Sequence, residues 1–175
     1  MVAFATVLAA MLPAALSDSC AANPSSRAQF VAGQVQLVPS VPAGIWAPPI
    51  ELASAVLVCD PEREQLALLG IDAKQRGHLW VLQPQGNGWL VLRELDWLPS
   101  VSAAAMSEGR LGLGIIRRGT SELWLMPSSG KARPDVRQLG APVTAIALSG
   151  DRSIWWVATG TALRGFGRDD GSTRE

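Results

Sequence analysis

The chain has 175 residues, which is enough for one domain with a sizeable hydrophobic core. Its 15 basic and 15 acidic residues give a formal net charge of +0, and without a basic stripe a nucleic-acid-binding protein is not indicated. Charged residues make up only 17% of the chain, whereas it has 17 glycines, 12 prolines and 7 tryptophans. This composition favours short buried strands joined by turns over helices.

The N-terminal 16 residues, MVAFATVLAAMLPAAL, are apolar and uncharged. They are shorter than the ~20 apolar residues of a transmembrane helix, and the small residues that follow resemble a signal-peptidase site. Although no positive charge precedes the apolar run, we expect residues 1–17 to be a signal peptide or export anchor. The mature chain would begin near Asp18 or Cys20 and be periplasmic, extracellular or membrane-anchored. Membrane contact is expected only through such an anchor.

The chain has two cysteines, Cys20 and Cys59, and three alternatives remain open for them. After export they could form one disulfide. Cys20 follows an apolar segment, as a lipidated cysteine does, but Asp18 and Ser19 stand where small apolar residues are usual. Two unrelated thiols are the third alternative.

Residues 18–33 are mostly polar up to Arg27 and are expected to form a linker. The segment Gln34–Val38 then alternates polar and apolar residues, which is typical of a half-exposed strand. From residue 34 to residue 175 we expect a single β-domain.

A repeat begins near residue 51. Three segments open with an apolar residue, then Ser or Thr, then Ala, and they begin 48 and 42 residues apart: Ala53–Asp60, Val101–Glu108 and Val143–Gly150. Each is followed by a second apolar run: Leu66–Gly70, Leu111–Ile116 and Ile154–Ala158. A third run follows in each repeat: His78–Leu82, Glu122–Met126 and Ala162–Phe166. This periodicity predicts repeats near 51–97, 98–140 and 141–175.

Turn residues separate these runs. Gly86-Asn87-Gly88 suits a tight hairpin, because Asn and Gly tolerate positive φ. Trp89–Arg93 and Asp135–Leu139 supply a fourth strand in the first two repeats. The third repeat lacks an obvious fourth strand, and Gln34–Val38 could supply it from the N-terminal side. Each unit is therefore predicted to be an antiparallel four-stranded meander.

The segment Val143–Gly160 resembles the opening two strands of WD-repeat blades and of periplasmic bacterial propeller blades. The resemblance implies an all-β fold, a partial β-propeller with about three blades; a β-sandwich or small barrel is the alternative. Closed propellers have about four to eight blades. An incomplete propeller is expected to associate with a second copy, as a two-fold dimer of six blades, or to dock onto a partner propeller.

Each candidate catalytic or binding group in the sequence also has a structural explanation. His78, the single histidine, could be the base of a triad, but it is expected to be an ordinary residue at the start of a strand. Gly112, Gly114 and Gly119 lack the spacing of a phosphate-binding loop, so close sheet packing is expected. Two carboxylate clusters could hold a cation or act as acid and base, but solvated turns are favoured. These clusters are Asp60, Glu62 and Glu64, and Asp169 and Asp170.

Tryptophans divide into two groups. Trp80 and Trp124 align between repeats and are expected in the core. The residues that could contact a partner are the unaligned tryptophans and the most cationic spot in the chain: Trp46, Trp89, Trp97, Arg117 and Arg118. We therefore expect an exported, non-catalytic binding or scaffold protein with a protein partner or self-association. No catalytic, metal or cofactor site is expected. The alternatives are a hydrolase with carboxylates at the propeller mouth, or a truncated propeller without independent function.

Overall fold

A computed structural model describes residues 18–38, 44–149, 153–160, 162–167 and 173–174. In this part of the chain the regular structure is β-strand, and it contains no helix long and apolar enough to cross a membrane. The strands form four antiparallel sheets of four strands each, arranged in a ring as in a four-bladed β-propeller. The fold is therefore all-β and propeller-like, as the repeats predicted. The predicted export segment, residues 1–17, lies outside the described residues.

We number the sheets as blades I to IV, and each is a meander in which consecutive strands pair. Blade I consists of β1 (Ser19–Asn23), β2 (Ser26–Val31), β3 (Gln34–Val38) and β4 (Ile45–Trp46). Blade II consists of β5 (Leu52–Asp60), β6 (Gln65–Asp72), β7 (Gly77–Gln85) and β8 (Gly88–Leu98). Blade III consists of β9 (Ser100–Ser107), β10 (Arg110–Arg117), β11 (Thr120–Pro127) and β12 (Asp135–Leu139). Blade IV consists of β13 (Val143–Leu148), β14 (Ile154–Thr159), β15 (Ala162–Gly167) and β16 (Thr173–Arg174).

The structure corrects the predicted number of repeats from three to four. The additional blade begins in residues 18–33, where the sequence predicts a linker but the structure has β1 and β2. Gln34–Val38 is a strand, as predicted, but it pairs with β2 and β4 of blade I and does not complete the last blade. That role belongs to β16, which pairs with β15. Polar residues on one face of β2 interrupt its apolar residues, so a prediction based on apolar runs does not detect this strand.

Two-residue turns close several hairpins. In three of them both central residues have positive φ: Ala32 and Gly33 (51° and 78°), Glu108 and Gly109 (50° and 71°), and Arg118 and Gly119 (50° and 79°). Such turns match the right-handed twist of the strands that they join. They demand glycine or another residue that accepts left-handed backbone, and glycine occupies the second position in all three.

The hydrophobic core lies in the seams between successive blades. Val35 and Leu37 of blade I pack with Leu57 and Trp80 of blade II. A second cluster joins blades II and III, and a third joins blades III and IV around Trp155. The first strands of neighbouring blades, β1 with β5, β5 with β9 and β9 with β13, contact one another directly. Blades II and III are thus buried on both faces, which explains their nearly continuous apolar strands.

The seam between blades IV and I differs from the other three. Among the described residues, no hydrophobic cluster spans these two blades. Their strands also lack the extensive contact that the first strands make in the other three seams. The disulfide between Cys20 of β1 and Cys59 of β5 joins blade I to blade II. Within the described part of the chain, three packed seams therefore join the four blades.

Candidate functional site at the cavity rim

Two rims of the ring have different chemistry. The bonded rim carries the β5–β6 turn, the β9–β10 turn and the β11–β12 loop, where hydrogen bonds cross between blades. The cavity rim carries the β6–β7 turn, the β8–β9 connection and the β10–β11 turn, where a cavity opens between blades II and III. The bonded rim therefore carries contacts that hold the blades together, and the cavity rim carries the recess between blades II and III.

On the bonded rim, the last residue of a first strand binds the turn of the next blade. Asn23 donates from Nδ2 to Glu64 Oε1 across 3.3 Å, which joins blades I and II. Asp60 is only 1% exposed and accepts a hydrogen bond from the Gly109 backbone N–H at 2.7 Å, which joins blades II and III. Equivalent positions in successive blades therefore perform the same linking function.

Two further side chains reinforce the junction of blades II and III with three hydrogen bonds. The hydroxyl of Ser128 donates to Gln65 Oε1 across 2.8 Å in a buried position. Arg93 is also buried and donates to the carbonyl oxygens of Ala132 (3.1 Å) and Ser129 (3.3 Å). Burial lowers the pKa of the Arg93 guanidinium. These contacts hold the β11–β12 loop against the outer strand of blade II.

These findings correct the prediction of a solvated turn for Asp60, whereas Glu62 and Glu64 are exposed in the β5–β6 turn, as predicted. The Asp60 carboxylate is buried and serves a contact between blades, because the bonded Gly109 N–H compensates part of its desolvation. Neither this role nor that of Arg93 could be read from the sequence, since their partners come from another repeat. Asp169 and Asp170 lie outside the described residues.

The cavity rim contains a recess of about 240 Å³. Its walls come from both blades and are mainly apolar: Val56, Leu69, Ile71, Leu98, Pro99 and Val101. Ser54, Gln75 and Ser100 supply polar groups to the lining. The lining is thus mainly apolar with a few polar groups, and the volume is about that of one side chain or a small group.

Trp97 and Arg117 form a pair beside this cavity. The guanidinium carbon of Arg117 lies 5.4 Å from the centre of the Trp97 ring, a cation–π contact. Trp97 is 55% exposed. Ile116 is also exposed, and its pairing with Ser100 of the cavity wall places it on the same rim. Arg118 follows in the β10–β11 turn with a positive φ of 50°. The structure thus brings together three of the five residues that the sequence singled out for partner contact.

The other two, Trp46 and Trp89, pack against the seam between blades I and II. Their side chains are only partly exposed, and the Trp46 ring centre lies 5.9 Å from that of Trp80. Trp89 Nε1 donates to the carbonyl of Gly44 across 3.4 Å. These contacts give Trp46 and Trp89 structural roles away from the cavity.

His78 is buried in blade II and is engaged on two sides. Its ring stacks on Trp80 with 5.6 Å between centres, and its Nε2 lies 3.4 Å from Asp72 Oδ2. Asp72 also accepts hydrogen bonds from the backbone N–H and the side chain of Arg76 and from the backbone N–H of Lys74. The backbone bond from Arg76 is the main cause that holds the pKa of Asp72 well below its usual range. The pair therefore organises the β6–β7 turn at the cavity rim.

Glycine positions in β10 allow close packing, as predicted. A Cβ on Gly112 would lie 3.1 Å from the Trp155 ring, and one on Gly114 would lie 2.5 Å from Val143 Cβ. Gly119 instead occupies the left-handed turn after Arg118. Within the described ranges, no group of three His, Cys, Asp or Glu side chains is placed to hold a metal ion.

No protein-family model matches this sequence, and no curated protein matches it either.

Proposed function

We propose that the chain is an exported, non-catalytic binding protein that recognises a protein partner at the cavity rim. The observation that carries the proposal is Trp97, a large aromatic side chain exposed beside an apolar cavity and held in place by Arg117. Exposed tryptophan and arginine dominate the energy of many protein interfaces. A side chain that is ordered before binding loses less entropy when the partner arrives.

The chemistry of the rim indicates a partner segment with an apolar side chain next to a carboxylate. The cavity accommodates the apolar group, and the guanidinium groups of Arg117 and Arg118 suit the carboxylate. Arg118 supports this assignment, because a left-handed turn position is occupied by an arginine where Asn or Gly would be less strained.

The disulfide between Cys20 and Cys59 supports the exported part of the proposal, because disulfides persist mainly in oxidising compartments. The environments of Asp72 and His78 support the non-catalytic part. A carboxylate stabilised by several hydrogen bonds is a weak base, and the imidazole is buried against Trp80.

Selection from a random peptide library displayed on phage tests the proposal. We expect enriched peptides to contain an acidic residue near a large apolar one and to bind Trp97→Ala at least ten-fold more weakly. Leu90→Ala, another exposed apolar position on β8, is the matched control and should leave binding unchanged. Arg117→Glu should shift the selection towards basic peptides. Peptides that bind Trp97→Ala as well as the unaltered protein would contradict the proposal.

A further inference from the structure

The first strands of blades II, III and IV carry a hydroxyl side chain at the same position of the repeat: Ser54, Ser102 and Thr144. In blades III and IV this hydroxyl has a structural partner on the neighbouring strand. Ser102 donates to the carbonyl of Gly114 across 3.3 Å, and Thr144 donates to that of Ala158 across 3.2 Å. Ser102 and Thr144 are each the extra residue of a β-bulge, so the hydroxyl bonds take the place of a ladder pair.

Blade II departs from this pattern at the cavity rim. Its bulge lies one residue earlier, at Ala53, so Ser54 pairs with Ile71 in the ladder. In the described part of the chain, the Ser54 side chain makes no hydrogen bond, and the residue is exposed and lines the recess. Bulges often redirect a side chain beside a functional site. The shifted bulge therefore gives the recess a hydroxyl that is structural in two other blades.

Gln75 is a second polar group on the same wall of the recess, and its backbone is strained. Its φ is 61°, in the left-handed region that glycine or asparagine adopts at lower cost. The hairpin turns after β2, β9 and β10 also contain left-handed residues, but each has glycine in its second position, whereas Arg76 follows Gln75. Gln75 is exposed and lines the recess. A strained residue retained at a cavity is a reason to examine it for function.

The buried carboxylate of Asp72 fixes the backbone on both sides of Gln75. Asp72 Oδ1 accepts hydrogen bonds from the backbone N–H groups of Lys74 (2.8 Å) and Arg76 (2.9 Å). The Gln75 N–H itself donates to the Asp72 carbonyl across 3.0 Å. Arg76 also forms an ion pair with Asp72 Oδ2 at 2.7 Å. Because Ile71, the ladder partner of Ser54, precedes Asp72, the same turn connects both polar groups of this wall.

We propose that Gln75 and Ser54 bind a backbone amide of the partner segment, and that Asp72 positions Gln75 for this contact. The glutamine side chain both donates and accepts, so it matches the N–H and C=O of a peptide backbone, and a hydroxyl acts in either sense. Among the described residues, no charged side chain lines the recess, which suits a neutral group. The inference rests on the proposed function, in which the partner's apolar side chain enters the recess.

Calorimetric titration of the full chain with a phage-selected peptide whose binding depends on Trp97 tests the role of Gln75. Gln75→Ala should weaken binding about ten-fold, as expected for one lost hydrogen bond. Gln75→Asn relieves the backbone strain but shortens the side chain, so it should raise the melting temperature and still weaken binding. A purely structural role would not move stability and affinity in opposite directions. Gln85→Ala, an exposed glutamine at the other end of β7, is the matched control.

Analogues of the same peptide, with each backbone N–H replaced in turn by an ester oxygen, identify the bonded amide. One analogue should bind the unaltered protein about ten-fold more weakly and lose nothing further with Gln75→Ala. Asp72→Asn should also weaken the unmodified peptide, and Gln75→Ala should then add little, because the two residues act together. Thermal melting verifies that each variant is folded, and the Gln75 variants remain decisive if Asp72→Asn is not.

The outcomes separate this inference from the proposed function. A peptide that depends on Trp97 but binds Gln75→Ala and Gln75→Asn normally would overturn the inference and leave the proposed function intact. Additive losses for Asp72→Asn and Gln75→Ala would remove the positioning role of Asp72. Failure to select any peptide whose binding depends on Trp97 would overturn both proposals.

Discussion

The buried carboxylate of Asp60, at the end of β5, accepts a hydrogen bond from the backbone N–H of Gly109 in the next blade. The donor belongs to a left-handed turn between β9 and β10, in which Gly109 has a φ of 71°. The path of that turn therefore determines whether the buried Asp60 carboxylate receives the hydrogen bond that offsets its loss of hydration. Strand register within blade III and the seam with blade II are consequently linked at this point.

Replacement of Asp60 by Ala should lower the free energy of unfolding by about 2–3 kcal/mol, because it removes a charged hydrogen bond between blades. Asp60→Asn keeps an acceptor oxygen and should cost less, about 1 kcal/mol. Asp96→Ala, an exposed aspartate on β8, is the control. Urea unfolding followed by tryptophan fluorescence measures all three. Equal stability of Asp60→Ala and the unaltered protein would contradict the role given to this residue.

Replacement of Trp80 or Trp124 by Ala should each cost about 3–5 kcal/mol, because both are buried large aromatics. Replacement by phenylalanine keeps an aromatic ring but removes the indole N–H, so it measures the contribution of each hydrogen bond. Trp124 Nε1 donates to the buried Glu122, whereas Trp80 Nε1 donates to Glu94, which is exposed. Water can replace the lost partner of Glu94 more readily than that of Glu122. Denaturant titration should therefore find Trp124→Phe more destabilising than Trp80→Phe.

Removal of the disulfide by Cys20→Ser with Cys59→Ser should cost about 3–4 kcal/mol, as expected for a closed loop of this length. The two cysteines are 39 residues apart, and the bond restricts blade I relative to blade II. Unfolding with and without a reductant measures the loss. The double variant should be insensitive to reductant, and an unaltered protein that is equally insensitive would show that the two thiols are not paired.

The depressed pKa of Asp72 should make stability depend on acid pH. A carboxyl group with a lowered pKa in the folded state stabilises the fold above its unfolded pKa of about 3.9. This contribution is lost as the pH falls further, towards the pKa of the folded state. Asp72→Asn should therefore melt below the unaltered protein at pH 7, and the difference should shrink below about pH 4. Asp135→Asn, whose carboxylate forms an exposed pair with Arg137, should show little difference at either pH.

Replacement of Arg118 by Asn should raise stability by about 1 kcal/mol, because asparagine adopts the left-handed backbone of this turn at lower cost. If Arg118 contributes to the proposed partner site, the same variant should bind selected acidic peptides more weakly. Differential scanning calorimetry and peptide titration give the two results independently. A gain in stability without a loss of binding would restrict the site to Trp97 and Arg117.

Sequence periodicity was sufficient to predict the strands of blades II and III, because both faces of those blades are buried and their strands are nearly continuous apolar runs. It predicted β3 of blade I from its alternation but missed β1 and β2, where Arg27 and Gln29 interrupt the apolar pattern on one face. It grouped Trp97, Arg117 and Arg118 as contact residues by composition, but only the fold shows that they share one rim with a cavity. Partners such as Asp60 and Gly109 lie 49 residues apart, so no local pattern could join them.

The packed seams seen among the described residues join blades that are neighbours in the chain, and this has a consequence for unfolding. Blades II and III each have two packed neighbours, and blade I has one neighbour and a covalent bond to it. Blade IV has one packed neighbour and no described disulfide. In repeat architectures of this kind, local opening begins where the fewest interfaces must be broken. Backbone amides of β14 and β15 should therefore exchange with deuterium before those of β6 and β10, and the chain should unravel from its C-terminal blade inwards.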